Sequence, residues 1–378
     1  MQLTHELTHE PESELHPETG NQYAKQAANG SANETMNANR PPTELRIAMN
    51  NRRDFLKTAA TGAVLLGSQR GMGLAEAIDK HTGARPKVVV ARDAQLHGSG
   101  GVLDEKRVQP LLDRAIASYS GHDKPVDAWK HIVPVGKVIG IKVNGIAGKG
   151  VSTHLALVLA VIERLQQAGV KPGEIVVWDR NARDIKSCGL TINTDPSRVR
   201  CFGSDVSGYE EQQEVWGSAR IKLSKILTRE CAMVINMPIL KDHEMAGVTF
   251  SMKNMYGVVD RPQDLHAGGC NPGVADLNCI PAIREKVRFT IGDAISSVYD
   301  GGPGFHPERL WQPNALIIGE DRVAVDHTAW QMIERKRTEM GVASLTAAGR
   351  PPRYIATAAD AAHHLGVSDP QHIHLMEV

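Results

Sequence analysis

Residues 231–237 (CAMVINM) form a β-prone run whose polar member, Asn236, comes near its end, and Pro238 follows at once. Apolar side chains at successive positions face both sides of a strand, so such a run needs cover on both faces. A parallel sheet flanked by helices provides it. Pro238 has no N–H to donate to a ladder and is expected to end the strand. Directly behind it the chain places Lys241, His243, Thr249, Lys253 and Asn254, with Gly247 and Gly257 bracketing the second polar block. Polar groups this dense beyond a buried strand are costly to desolvate unless something binds there. In open α/β sheets the ligand crevice lies beyond the carboxyl ends of such strands. A lone lysine or histidine is usually a solvated surface group; the cluster and its position make 235–259 the centre of the candidate site.

The rest of the chain supports the same architecture. Strands are expected at 87–92, 138–143, 174–178, 198–202, 232–236, 287–291 and 315–318. Helices are expected at 107–118, where Val108, Leu111, Leu112, Ala115 and Ile116 make one apolar stripe, at 153–168 with Ser152 or Thr153 as N-cap, and at 321–335. Strand, loop, helix and strand over 138–178 is the crossover unit of a parallel sheet. The expected fold is α/β, with parallel or mixed sheets and flanking helices, arranged as two subdomains with the site between them. Residues 336–378 read as a tail of low order with a short helix at 358–365.

Several further residues fall at predicted strand ends. Lys142 and Asn144 end the second strand. The loop from Gly145 to Gly150, containing Lys149, precedes a helix N-terminus, where free backbone N–H groups commonly hold anions. It is not a Walker A loop, because Gly150 rather than Ser or Thr follows the lysine. Asp293 follows a strand and suits a general base, a metal ligand or a helix N-cap. His154 and His266 are expected to join His243 as metal ligands, drawn from distant loops because no paired-histidine spacing is present. Asp326, inside an apolar-periodic helix, has a structural role at least as readily as a catalytic one. The catalytic set is then His243, Lys241, Lys253 and Asp293, and the binding set is Lys142, Asn144, Lys149, Thr249 and Asn254. Histidine suits proton transfer near neutral pH, and lysines hold an oxyanion or carboxylate. The expected chemistry is a redox or isomerising reaction on a small carboxylate or carbonyl compound. The other reading is a binding or cofactor-carrying protein that holds a small anion without turning it over.

These motifs resemble a known family. Pro238-x-x-Lys241-x-His243 followed by Thr249-x-x-x-Lys253-Asn254-x-x-Gly257 is similar to the signature of the DUF362 family. The resemblance continues through Lys142-Val-Asn144, Ser152-Thr153-His154, Asp179, Gly292-Asp293, Gly301-Gly302-Pro303 and Ala324-Val325-Asp326, over about 86–335. Many relatives carry ferredoxin-type cysteine clusters, and this chain has none of that spacing. A weaker resemblance, His243-x-x-Ala-Gly247 with Lys253 ten residues after the histidine, is to lactate racemases. That likeness implies a nickel-pincer cofactor bonded to the lysine. Here, however, Asn144-Gly-Ile-Ala stands where those enzymes have an aspartate–arginine pair, and Asp179-Arg180 where they have a strand-end histidine.

Composition narrows the partners. With 43 basic and 43 acidic residues the net charge is zero, and aromatic content is 4%, so neither a basic field nor stacking platforms point to nucleic acid. The five cysteines contain no C-x-x-C pair, which argues against an iron–sulfur cluster. Cys270 with Cys279, and Cys188 with Cys201, are spaced so that disulfides are open to them in an oxidising compartment. Residues 1–48 carry few large apolar side chains and read as a disordered extension or a mis-assigned start. Asn51-Arg-Arg-Asp-Phe-Leu-Lys57 resembles a twin-arginine export signal. It is followed by an apolar run at 58–67, too short to make a stable membrane span, and by Ala75-Glu-Ala77 as a peptidase site. The expectation is a periplasmic protein handed to the twin-arginine translocase already folded, which favours a metal ion or organic cofactor. Changing both Arg52 and Arg53 to lysine is expected to keep the protein in the cytoplasm with its leader uncleaved. Cell fractionation and N-terminal sequencing, with Ile78 or a near neighbour as the first mature residue, measure this.

Overall fold

The computed structural model describes residues 85–378, Lys149 excepted. The segment expected to be an export leader and residues 1–48 lie outside the described residues. The strands are β1 (Lys87–Arg92), β2 (Ile139–Lys142), β3 (Ile175–Trp178), β4 (Arg200–Cys201), β5 (Glu214–Trp216), β6 (Ala219–Ile221), β7 (Met233–Asn236), β8 (Ile239–His243), β9 (Gly247–Thr249), β10 (Val287–Val298), β11 (Leu310–Trp311), β12 (Ala315–Gly319) and β13 (His374–Glu377). β5 and β6 form a separate hairpin, and the other eleven share one mixed sheet, eight of them in the order β13-β1-β12-β10-β7-β2-β3-β4, with β8 and β11 paired to β10 and β9 to β8. The run β10-β7-β2-β3-β4 is parallel throughout, whereas β12 is antiparallel to both of its neighbours.

Strand alternation puts helices on both faces. Val89, Val177, Ile235 and Ile318 pack beneath the helices Glu105–Ser120 and Leu155–Gln167, and all five predicted stripe residues of the first helix are buried there. Their neighbours along the strands, such as Val176 and Val234, or Val88 and Ile317, pack on the opposite face. The α/β class with flanking helices is the one observed. The two expected halves are not separate, and the described residues fall in one compact unit. β10, twelve residues long, pairs first with β7 and then with β8 and so keeps these strands in one sheet.

Pro238 interrupts the sheet without ending it. The Pro238 carbonyl accepts from Asp293 N at 2.8 Å, and the chain re-enters the sheet as β8. β8 then turns into β9 with Lys241 opposite Thr249 and His243 opposite Gly247. Gly247 adopts φ +75°, and a Cβ there would lie 2.4 Å from the Arg350 carbonyl, so only glycine fits. The helix 153–168 begins later than expected. His154 occupies the N-cap without a side-chain cap bond, and Asp293 of β10 instead accepts from His154 N at 2.7 Å.

The tail is ordered, contrary to the sequence reading. A helix spans Arg353–Ala358, the rest of the predicted helix, 359–365, is turn and irregular chain, and β13 pairs in parallel with β1. Its anchor is ionic. Arg350 donates to Asp242 Oδ1 at 2.6 Å and to Asp300 Oδ1 at 2.8 Å, while Arg337 of the helix Arg322–Glu339 donates to Asp300 Oδ1 at 2.7 Å. Removing one partner from a buried charge leaves its desolvation uncompensated. Arg350→Ala is expected to lower unfolding stability by about 2–3 kcal/mol, since Arg337 still faces Asp242. Urea denaturation checks this.

Candidate functional site

β2, β3 and β7 end at the same level, with Lys142 opposite both Trp178 and Asn236. The residues that follow, Asn144 and Asp179, therefore stand side by side at the carboxyl edge. β8 adds Lys241 and His243 on one face while Asp242, between them, points to the arginine pair. The short 3-10 helix Lys253–Val258 adds Lys253 and Asn254. Its approach is held by Asp326, whose two oxygens accept from Ser251 N and Met252 N at 2.6 and 3.0 Å, which is the structural role. These elements enclose a cavity of about 260 Å³ that Lys142, Asn144, Lys241, His243, Thr249, Lys253 and Asn254 all line.

The floor of the cavity is fully bonded. Lys142 Nζ pairs with Asp179 Oδ1 at 2.6 Å and donates to the Val143 carbonyl at 2.7 Å. A chain of amides runs beside this pair: Asn144 Nδ2 donates to Asn254 Oδ1 at 2.9 Å, Asn254 Nδ2 to Asn236 Oδ1 at 2.7 Å, and Asn236 Nδ2 to the Ser251 carbonyl at 2.9 Å. Gly257 sits against the ion pair, where a Cβ would lie 2.6 Å from Lys142 Nζ and 2.7 Å from Asp179 Oδ1. The glycine is required by that close approach.

The wall is different. Lys241 is completely buried, and its ammonium has one hydrogen bond, to Asn144 Oδ1 at 3.0 Å. Lys253 Nζ lies 3.9 Å from the centre of the Tyr256 ring and 3.5 Å from His266 Nε2. Among the described residues, neither lysine has a carboxylate within ion-pair distance. Burial lowers the pKa of Lys241 to about 7 and that of Lys253 to about 8. Thr249 Oγ1 is buried with no hydrogen-bond partner.

The histidines have defined tautomers. His243 Nδ1 accepts from Met245 N at 3.1 Å and Ala246 N at 3.3 Å, so its proton sits on Nε2. Burial, with the Lys253 charge next, depresses its pKa to about 2, so this ring is a neutral donor. His266 Nδ1 lies 3.0 Å from the Pro262 carbonyl and donates to it, leaving Nε2 as acceptor toward Lys253. The two rings stack at 6.0 Å between centroids.

His154 does not join them. Its Nδ1 bonds Asp293 Oδ2 at 2.8 Å; burial alone would lower its pKa, but the Asp293 carboxylate raises it. The expected metal trio of His154, His243 and His266 is therefore not assembled, and the His243 Nδ1 lone pair is taken up by backbone N–H groups. Among the described residues no group of three or more His, Cys, Asp or Glu side chains is placed to hold a metal ion. Asp293, expected as catalytic, is consumed as an external helix cap and does not line the cavity. Lys149 lies outside the described residues. The cysteines expected to be able to pair are all free and buried.

Sequence reasoning missed Asp184, Arg180, Tyr256 and Gln263, which also line the cavity. Asp184 lies in the first turn of the helix Ala182–Ser187, whose N-cap is Asn181. A first-turn aspartate is ordinary helix chemistry, so nothing in its local pattern marks it.

The fold and site define an α/β protein with a lysine-rich cavity at the carboxyl edge of its sheet, in which Lys241 and Lys253 have no carboxylate partner among the described residues. The chain matches the Domain of unknown function DUF362 over residues 139–331 and belongs to that family. No curated protein matches it. A crystal structure of a protein from Thermotoga maritima is similar at 13% identity and a TM-score of 0.42, over 62% of this chain. This chain spans 59% of the length of that protein.

The depressed Lys241 pKa has a signed consequence for stability. Folded, it titrates near 7 rather than 10.5, so the folded state binds fewer protons between those values. The destabilising contribution is absent above the ordinary value, grows as pH falls, and is complete below about 7. Asp179 and Asp184 oppose the shift and Lys253 adds to it. Lys241→Met is expected to unfold at higher denaturant than the parent at pH 6, with the gap narrowing toward pH 10.

Proposed function

We propose that this protein is an exported enzyme that binds a small carboxylate or carbonyl compound and acts at the carbon beside that group, by isomerisation or redox chemistry. The observation carrying this reading is the pair of buried lysines, Lys241 and Lys253, facing one cavity without a carboxylate partner. A bound carboxylate supplies the missing counter-charge. Lys253, Thr249 Oγ1 and His243 Nε2–H hold its oxygens, and Lys241, which titrates near neutral pH, accepts or returns a proton. Lys142, Asn144 and Asn254 position these groups through the bonded floor. The export part rests on Arg52-Arg53 and the segment after it.

The neutral, donor-only state of His243 favours a second reading, a periplasmic anion-binding or cofactor-carrying protein without turnover. Exchange of carbon-bound protons in D2O, followed by NMR with small carboxylates, separates the two: binding without exchange selects the carrier. An intact-mass measurement on protein made with its own leader reports whether Lys253 carries a covalent cofactor of the lactate-racemase kind.

Lys253→Ala and His243→Ala are expected to abolish carboxylate binding in calorimetry while the protein stays folded, with His243→Ala costing about 1–3 kcal/mol because its Nδ1 accepts from two backbone N–H groups. Unfolding of both variants would assign these residues to structure instead. Because a bound anion favours charged lysines, affinity is expected to strengthen as pH falls from about 9 toward 6.

A further inference from the structure

Building on the carboxylate reading of the cavity, we infer that its ligand also carries a cationic nitrogen, so that the occupant is a small amino acid bound as its zwitterion. Two of the residues that line the cavity each carry a buried polar atom without a hydrogen-bond partner. Thr249 Oγ1 lies with the lysines, across the hairpin from Lys241. Asp184 Oδ1, on a different element, is buried and has no hydrogen-bond partner. The residue as a whole is 1% exposed.

Asp184 has no structural task that explains it. Its helix is capped by Asn181, which accepts from Asp184 N at 3.0 Å. The nearest basic atom is Arg183 Nε at 3.6 Å, on a side chain that is 80% exposed. Burial, reinforced by the neighbouring Asp179 charge, raises the Asp184 pKa. The other charges of that region are already matched: Asp179 Oδ1 takes Lys142, and its Oδ2 accepts from Gly145 N at 2.8 Å. A buried carboxylate oxygen without a donor is rare and costly. A carboxylate ligand alone leaves Asp184 unmatched, and an amine alone leaves Lys241 and Lys253 unmatched. A zwitterion satisfies both ends, with its carboxylate at the lysines and its ammonium at Asp184.

Calorimetry on the mature full-length protein at pH 7, with butyrate, 2-aminobutyrate, 4-aminobutyrate and 2-hydroxybutyrate, tests this. One of the two amino compounds is expected to bind at least about tenfold more tightly than butyrate, the scale of one charge-assisted hydrogen bond. Asp184→Asn is expected to bring that compound down to the level of butyrate. Equal binding of butyrate and both amino compounds overturns the inference, as does a hydroxy compound binding as well as the better amino one, or an amino advantage that survives in D184N. Those results leave the carboxylate reading intact. Failure of all four compounds to bind removes the carboxylate reading and the inference with it. The parent series alone decides the matter if the variant does not fold.

Discussion

Burying the Asp242 carboxylate is the constraint on which the rest of the site depends. Asp242 lies between Lys241 and His243, so strand alternation sends it to the opposite face, where it is completely buried. It is stabilised there by Arg350, by the Gly302 N–H at 3.0 Å and by the approach of Arg337. Those partners come from the tail, a loop and the last long helix. One carboxylate therefore fixes β8 against three remote parts of the chain, and fixing β8 sets where Lys241 and His243 stand.

The cavity separates groups that serve the fold from groups left free. Lys142, Asp179 and the three asparagines satisfy one another, and each would be expensive to leave alone. Lys241, Lys253, Thr249 Oγ1 and Asp184 Oδ1 are as deeply placed but under-bonded. Such groups destabilise the empty protein, and a ligand of matching charge recovers that free energy on binding. Under the proposed carboxylate reading, the same feature that weakens the fold would give the site its selectivity.

Much of the architecture was legible in local pattern. The run at 231–237 announces a strand covered on both faces, and the five-residue stripe from Val108 to Ile116 announces a helix lying on the sheet; both signals are periodicities that survive folding. The polar cluster was legible because Lys241, His243, Thr249, Lys253 and Asn254 are close in sequence as well as in space. Asp293 and His154 were misread because a strand-end carboxylate and a helix-start histidine look the same whether they face a ligand or each other. Asp184 was invisible because its buried oxygen without a hydrogen-bond partner is a product of tertiary packing. The tail misled for a related reason: its order comes from Arg350 reaching Asp242 and from β13 pairing with β1, contacts that leave no local trace.

The position of β1 has a kinetic consequence. This first strand of the sheet is flanked by β12 and β13, both drawn from far down the chain, so its two ladders close very long loops. Loop-closure entropy makes such pairings late events in folding. As the chain leaves the ribosome, β1 emerges early and waits unpaired, with its apolar run Val88–Ala91 exposed until most of the remaining sequence has been made. A chaperone that shields this segment would act on a late step of the fold.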